Sequence, residues 1–269
     1  MVMRPALINV MANAAQKAGR ALVRDFGEVE HLQISRKGPA DFVSAADLKS
    51  QKILREELSK ARPSFGFYME EDDGGPNFST QEERWIVDPL DGTTNFLHSM
   101  PHWCISIAAM RGAEVVAGMI YDPLADKMFW AEKGIGAYCN NKRMRVATRQ
   151  NLADSLVGIC LPRKGMEQTM PQALKTLETL LPLVAGVRSA GSAALALAYV
   201  AAGRYDACVE VPWLMALKLY DVAAGVLLVK EAGGFVSSLD TQEKDPLASL
   251  SFVAGTGAIH DQLVRLLRV

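Results

Sequence analysis

The stretch Trp85-Ile86-Val87-Asp88-Pro89-Leu90-Asp91-Gly92-Thr93-Thr94-Asn95-Phe96 decides how the rest of the chain is read. Its first three residues form an apolar run suited to a buried strand. Pro89 biases the residue before it toward extended backbone, so the strand is expected to stop at Asp88 with the carboxylate projecting from its end. Asp91 can converge with Asp88 on one point. Two anionic oxygen donors so close repel each other unless a hard cation lies between them, and Mg2+ accepts one or two carboxylates plus water and substrate phosphate. Gly92 allows close backbone approach, and unpaired N–H groups from Gly92 to Thr94 at a helix start favour an anion. One loop thus serves a cation and a phosphate. Taken alone, D-P-x-D-G is also an ordinary solvated turn, so the remainder of the chain has to choose between these readings.

The chain has 269 residues, enough for a sizeable core in one large domain or two closely packed lobes. Hydrophobic residues make up 49% and charged residues 22%, which is the balance of a globular enzyme and not of a disordered segment. A formal net charge of −1 supplies no overall basic surface for neutralising nucleic-acid phosphates. Cys104, Cys139, Cys160 and Cys208 are widely spaced and lack a C-x-x-C pair, so reduced thiols are expected in place of a zinc site or a disulfide framework. The first 26 residues carry Arg4, Lys17, Arg20, Arg24 and Asp25 among small apolar residues, without a signal-peptide core. No apolar run approaches the ~18 residues of a membrane span. A cytoplasmic protein is expected.

Leu7, Met11, Ala14, Ala18 and Leu22 recur every three or four residues and predict an amphipathic helix over 5–26. The segment 34–43 contains Gly38-Pro39 and reads as a loop. Ser44 is a candidate N-cap for a second helix burying Leu54, Leu58 and Ala61. Phe65 to Met69 reads as a short strand, and the acids Glu70-Glu71-Asp72-Asp73 before Gly74-Gly75 read mainly as a solvated loop. Runs at 104–110, 114–121 and 128–131, divided by turn residues, predict an antiparallel meander. Gly134-Ile135-Gly136 reads as a turn. His98 and His102, with Pro101 between them, read as structural. Further strands are expected at 155–161, 205–211, 235–239 and 251–254, and helices near 166–181, 195–202 and 259–267. Another helix opens at Asp221 and ends at Gly233-Gly234. No internal repeat or linker is visible.

Asp88-Pro89-Leu90-Asp91-Gly92-Thr93-Thr94-Asn95 resembles the signature of the inositol monophosphatase family, lithium-sensitive Mg2+-dependent sugar phosphatases. Three further segments resemble that family. Pro39 to Asp47 is similar to the segment that brings an aspartate, here Asp47, under the metal site. Met69-Glu70-Glu71 stands where the family has Gly-Glu-Glu, so Glu70 is assigned as a ligand although Met69 replaces the glycine. Leu219 to Gly225 resembles Trp-Asp-x-Ala-Ala-Gly, with Tyr220 in place of the tryptophan and Asp221 as the acid.

The resemblance covers nearly the whole chain and implies an α+β fold, a layered αβαβα sandwich. Residues 1–269 would form a single domain of two packed lobes, roughly 1–150 and 151–269, commonly as a homodimer. It implies a metal site made by Glu70, Asp88, the Leu90 carbonyl, Asp91 and Asp221 and holding two or three Mg2+ ions. Thr93 and Glu70 would orient the attacking water, with Asp47 holding the Thr93 hydroxyl. Leu90, Gly92, Thr93, Ser192, Ala193 and Glu210 would contact the substrate, although residues 211–218 form a longer connection than the family's. Inositol 1-phosphate is the first substrate expected, because Gly-Thr-Thr-Asn follows the aspartate. Fructose 1,6-bisphosphate, 3′-phosphoadenosine 5′-phosphate and histidinol phosphate stay open. So does a regulatory role through transcription-machinery partners.

Overall fold

The computed structural model describes residues 3–26, 28, 34–38, 41–72, 83–210 and 218–268, with 34–38 and 41–44 described by backbone alone. In chain order the elements are α1 (Ala6–Phe26), β1 (Ile34–Gly38), β2 (Asp41–Ser44), α2 (Ala45–Ala61), β3 (Gly66–Met69), β4 (Glu83–Asp91) and α3 (Thr93–Leu97). Then come β5 (Cys104–Arg111), β6 (Glu114–Asp122), β7 (Lys127–Glu132), β8 (Gly136–Cys139), β9 (Lys142–Arg143) and β10 (Leu156–Ile159). The remainder is α4 (Met170–Leu180), β11 (Gly186–Arg188), α5 (Ala193–Ala201), β12 (Ala207–Glu210), α6 (Leu219–Glu231), β13 (Phe235–Ser238), α7 (Pro246–Ser249), β14 (Phe252–Gly255) and α8 (Gly257–Leu267).

Strands β3 to β9 form a seven-stranded sheet in sequence order. It is antiparallel except where β3 runs parallel to β4. A five-stranded sheet has the order β11-β10-β12-β14-β13. Alternation along β4 sets the layers, because successive side chains leave a strand on opposite faces. Trp85 and Val87 enter the core beneath α1 and α2, whereas Ile86 enters the core shared with α5 and α6. Those two helices lie between the sheets, α6 on β4 to β8 and α5 also on β12 and β14. On the far side of the smaller sheet, Leu180 of α4 and Ile259 and Leu263 of α8 pack on Val157, Val209 and Val253. The result is the layered αβαβα sandwich. The middle helices come close at Gly225, where a Cβ would lie 2.5 Å from Leu197 Cβ.

Three local expectations are corrected. The strand does not stop at Asp88. It continues through Pro89 to Asp91, because an irregularity between the pairs Asp88↔Ser106 and Asp91↔Cys104 absorbs the proline, which has no N–H for the ladder. Residues 34–38 and 41–43, expected as loop, are instead strand, since β1 and β2 pair as an antiparallel ribbon. Asp221 is the third residue of α6 and not its first. The side chain of Ser44, the Asp73-Gly74-Gly75 turn, Pro39 and the connection 211–217 lie outside the described residues. Among the described residues no helix is long and apolar enough to cross a membrane.

Candidate metal and phosphate site

The seven-stranded sheet, α2 and the starts of α5 and α6 meet at the end of β4. Asp88 and Asp91, both buried, and the half-buried Asp221 each bring a carboxylate oxygen within 4.8 Å of the other two. Glu70 follows β3. Its N–H donates to the Val87 carbonyl at 3.2 Å, and its carboxyl hydrogen-bonds that of Asp88. Parallel pairing of β3 with β4 puts Met69 opposite Val87, so two strands deliver their terminal acids to one edge. Acids from three distant segments are thereby gathered.

Each carboxylate is oriented by local geometry. Asp88 Oδ1 accepts the Leu90 N–H at 2.9 Å. Asp91 Oδ2 faces the start of α5, where it accepts the Ala194 N–H at 2.9 Å, the Ser192 hydroxyl and, at 3.7 Å, the Cys104 thiol. Ser192 is also the N-cap of α5, accepting the Leu195 N–H at 3.2 Å. Asp221 accepts the Lys218 N–H at 2.5 Å at the start of α6, while its own N–H donates to the Lys218 carbonyl at 3.1 Å. The positive ends of two helices are therefore aimed at two of the acids, which offsets part of their mutual repulsion.

That offset is incomplete. Burial, followed by the charges of Glu70, Asp91 and Asp221, raises the Asp88 pKa well above the usual carboxylate value. Burial also raises Asp91, against its hydrogen bonds from Ser192, Ala194, Cys104 and Ala193. Asp221 rises through burial and then the charges of Asp91 and Glu70. Buried acids in such contact ionise together only when positive charge lies among them. The donors are hard oxygens, the chemistry a divalent cation such as Mg2+ selects.

Beside the acids, Gly92 has φ of +95°, a left-handed turn open to glycine at no steric cost, and α3 begins immediately after it. The Thr93 hydroxyl lies 3.1 Å from both Asp47 Oδ1 and the Leu90 carbonyl oxygen. Asp47 is fully buried in the first turn of α2. Glu210 ends β12 and is also fully buried, which pushes its carboxyl up to about 7. Ala193 is buried at the first turn of α5. The ring of Tyr220 stands 5.5 Å from that of Tyr68. His98 and His102 are absent from the acidic cluster.

Several contributors carried no motif. Ser50 of α2 donates to the Pro89 carbonyl at 2.8 Å, and Gln51 accepts the Glu71 N–H at 3.1 Å and donates to Asp72. Arg55 pairs with Asp72 at 2.6 Å. Asp47, Ser50 and Gln51 form a buried polar stripe on one turn of α2. The available signal was that polar residues stand at i, i+3 and i+4 of a helix whose next turns bury Leu54 and Leu58. Across the sheet, Ser106 donates to the Tyr220 carbonyl at 3.2 Å, tying β5 to the start of α6. Asn95, which does belong to the signature but was given no role there, donates its amide N–H groups to the carbonyls of His102 and Ala190 at 2.7 Å each.

A model of the inositol monophosphatase family matches residues 4–269. The inositol-1-monophosphatase of Mesorhizobium japonicum is 49% identical over 265 residues, covering 98% of this chain and 97% of that protein. The Nus factor SuhB of Xylella fastidiosa is 39% identical over 234 residues, covering 87% and 82%. Among solved structures, the extragenic suppressor protein suhB of Bartonella henselae has a TM-score of 0.91 at 47% identity, covering 98% of this chain and 99% of that one.

Proposed function

This chain belongs to the inositol monophosphatase family, and from that premise we propose that it hydrolyses small phosphate monoesters with Mg2+, inositol 1-phosphate first among them. The observation that carries the proposal is the gathering of Asp88, Asp91 and Asp221 beside the Thr93–Asp47 pair. Glu70, Asp88, the Leu90 carbonyl, Asp91 and Asp221 would hold two or three Mg2+ ions, which supply positive charge that polarises the phosphate and acidifies a neighbouring water. The Thr93 hydroxyl has one proton, directed toward Asp47 and the Leu90 carbonyl, so its oxygen is left to accept from that water. Glu70, on the same edge, orients the water and takes its proton. The new P–O bond forms as the ester P–O bond breaks in line, and the ester oxygen leaves on the Asp221 side, taking a proton from solvent water to depart as the alcohol. N–H groups at Gly92 and Thr93 bind the phosphoryl oxygens. Ser192 spends its hydroxyl on Asp91, so it acts on the substrate through the position of that acid, while Ala193 lines the site and Glu210 accepts a substrate hydroxyl.

Phosphate release from inositol 1-phosphate, fructose 1,6-bisphosphate, 3′-phosphoadenosine 5′-phosphate and histidinol phosphate, with Mg2+ and with chelator, tests this reading. Turnover of inositol 1-phosphate that chelation abolishes and lithium inhibits is expected. Turnover indifferent to chelation sinks it.

The Nus factor name of the Xylella fastidiosa relative favours a second role, binding to the transcription machinery. An Asp88→Asn protein that loses turnover yet still captures such a partner would separate the roles. We place the protein in the cytoplasm as a homodimer, the family's common state, which sedimentation would check.

A further inference from the structure

Glu210 has company that the phosphatase reading leaves unused. Cys208, two residues earlier on the same face of β12, donates its thiol to Glu210 Oε1 at 3.4 Å. Parallel pairing of β10 with β12 matches Ile159 with Val209, so the next residue, Cys160, arrives beside Glu210. Its thiol is close enough to couple electrostatically to the carboxylate. The second oxygen, Oε2, is buried and has no hydrogen-bond partner among the described residues. Buried acceptors are rarely left so. The two thiols oppose the rise that burial imposes on Glu210, and the negative charge of Asp91 adds to that rise.

We propose that Cys160 and Cys208 are positioning residues for polyol selectivity: their thiols hold the Glu210 carboxylate in one orientation, so that Oε2 meets a hydroxyl of the phosphorylated polyol. This rests on the phosphatase reading and deepens it. Thiols suit the task because they are weak donors, compact and polarisable. They fix the carboxylate without satisfying it, and the unmet capacity falls to the ligand. An alkyl side chain at either place leaves the carboxylate free to turn.

The test compares inositol 1-phosphate with p-nitrophenyl phosphate, which carries no ring hydroxyl. In the double variant Cys160→Ala, Cys208→Ala the KM for inositol 1-phosphate is expected to rise roughly tenfold, the worth of about one hydrogen bond to a charged group. Its kcat stays within about twofold, and the aryl ester is unaffected. Serine at both positions, which restores a donor, should return the KM toward that of the unmodified protein. Equal shifts for both esters, or none, overturn the proposal. A separate readout is the S–H stretching band, assigned with the single alanine variants. Glu210→Leu should move it for both thiols, and a band that stays put refutes the contact itself. If the unmodified protein hydrolyses neither ester, the phosphatase reading falls. The comparison then passes to equilibrium binding of the two esters, where lost polyol selectivity in the double variant supports the proposal and retained selectivity overturns it.

Discussion

Asp88→Asn should make the metal-free protein more stable while destroying its activity. Asparagine keeps the shape and the acceptor for the Leu90 N–H, which Asp88 Oδ1 receives at 2.9 Å, but it removes one charge from a crowded group. Two unit charges at the 4.8 Å limit spanning these acids repel by about 3.5 kcal/mol at an effective dielectric near 20. Asp88 faces two such partners and, in Glu70, a third acid hydrogen-bonded to it, yet the group takes up a proton in place of carrying all of that repulsion. Relief of about 2–4 kcal/mol follows. For a chain of this size that is a rise of roughly 5–15 °C in the melting temperature under chelating conditions. The sign with pH is also set. Asp88, Asp91 and Asp221 have folded pKa values above the ordinary carboxylate value of 3.8. Between that value and the raised ones the native state holds more protons than the unfolded chain, so metal-free stability falls as pH rises, and the variant should fall less steeply. Saturating Mg2+ should reverse the ranking, since ligand at a hundred times its Kd stabilises the unmodified protein by about 2.7 kcal/mol and the variant little. Calorimetry with and without Mg2+ from pH 5 to 8, alongside phosphate release, is the assay. A variant that melts lower without metal, or keeps its Mg2+ response and turnover, refutes the reasoning.

Three further outcomes are expected. Thr93→Val keeps the side-chain volume and removes the hydroxyl shared with Asp47 and Leu90. It should lower kcat by about 10²–10³ with KM nearly unchanged, and steady-state kinetics would expose a contrary split. Gly225→Ala puts a methyl carbon 2.5 Å from Leu197 Cβ. Overpacking of about 1–3 kcal/mol should outweigh the gain in helix propensity and lower the urea midpoint, whereas an unchanged midpoint would mean that α5 and α6 can separate freely. Glu210 is pushed from 4.5 up to about 7, so its ionisation weakens the fold by about 3 kcal/mol as pH rises through that window. Glu210→Gln should flatten the corresponding part of the stability profile, and an unaltered slope would show the group to be better solvated than its burial implies.

Apolar periodicity in α1 and the turn-divided apolar runs of β5 to β7 are local properties, so both were legible in a short window of residues. The run ending in Asp88-Pro89-Leu90-Asp91 likewise announced itself, because acids, proline and glycine beside an apolar strand have few uses in combination. Local rules misjudged the proline, which is tolerated inside β4 because a ladder irregularity takes up its missing N–H. They also misjudged residues 34–38 and 41–43, whose strands β1 and β2 exist by pairing with each other.

What the sequence by itself determined is the inventory: which residues bear charge, where strands and helices are favoured, and that four acid-bearing segments resemble those of one family. The tertiary structure alone decided which groups meet. Ser192 of one layer and Cys104 of another converge on Asp91 across 101 and 13 residues of chain, and a polar stripe on α2 holds both Pro89 and Thr93. Such encounters follow from how two sheets and three helical layers stack to remove apolar surface from water. That free energy belongs to the whole packed molecule and to no single stretch of it.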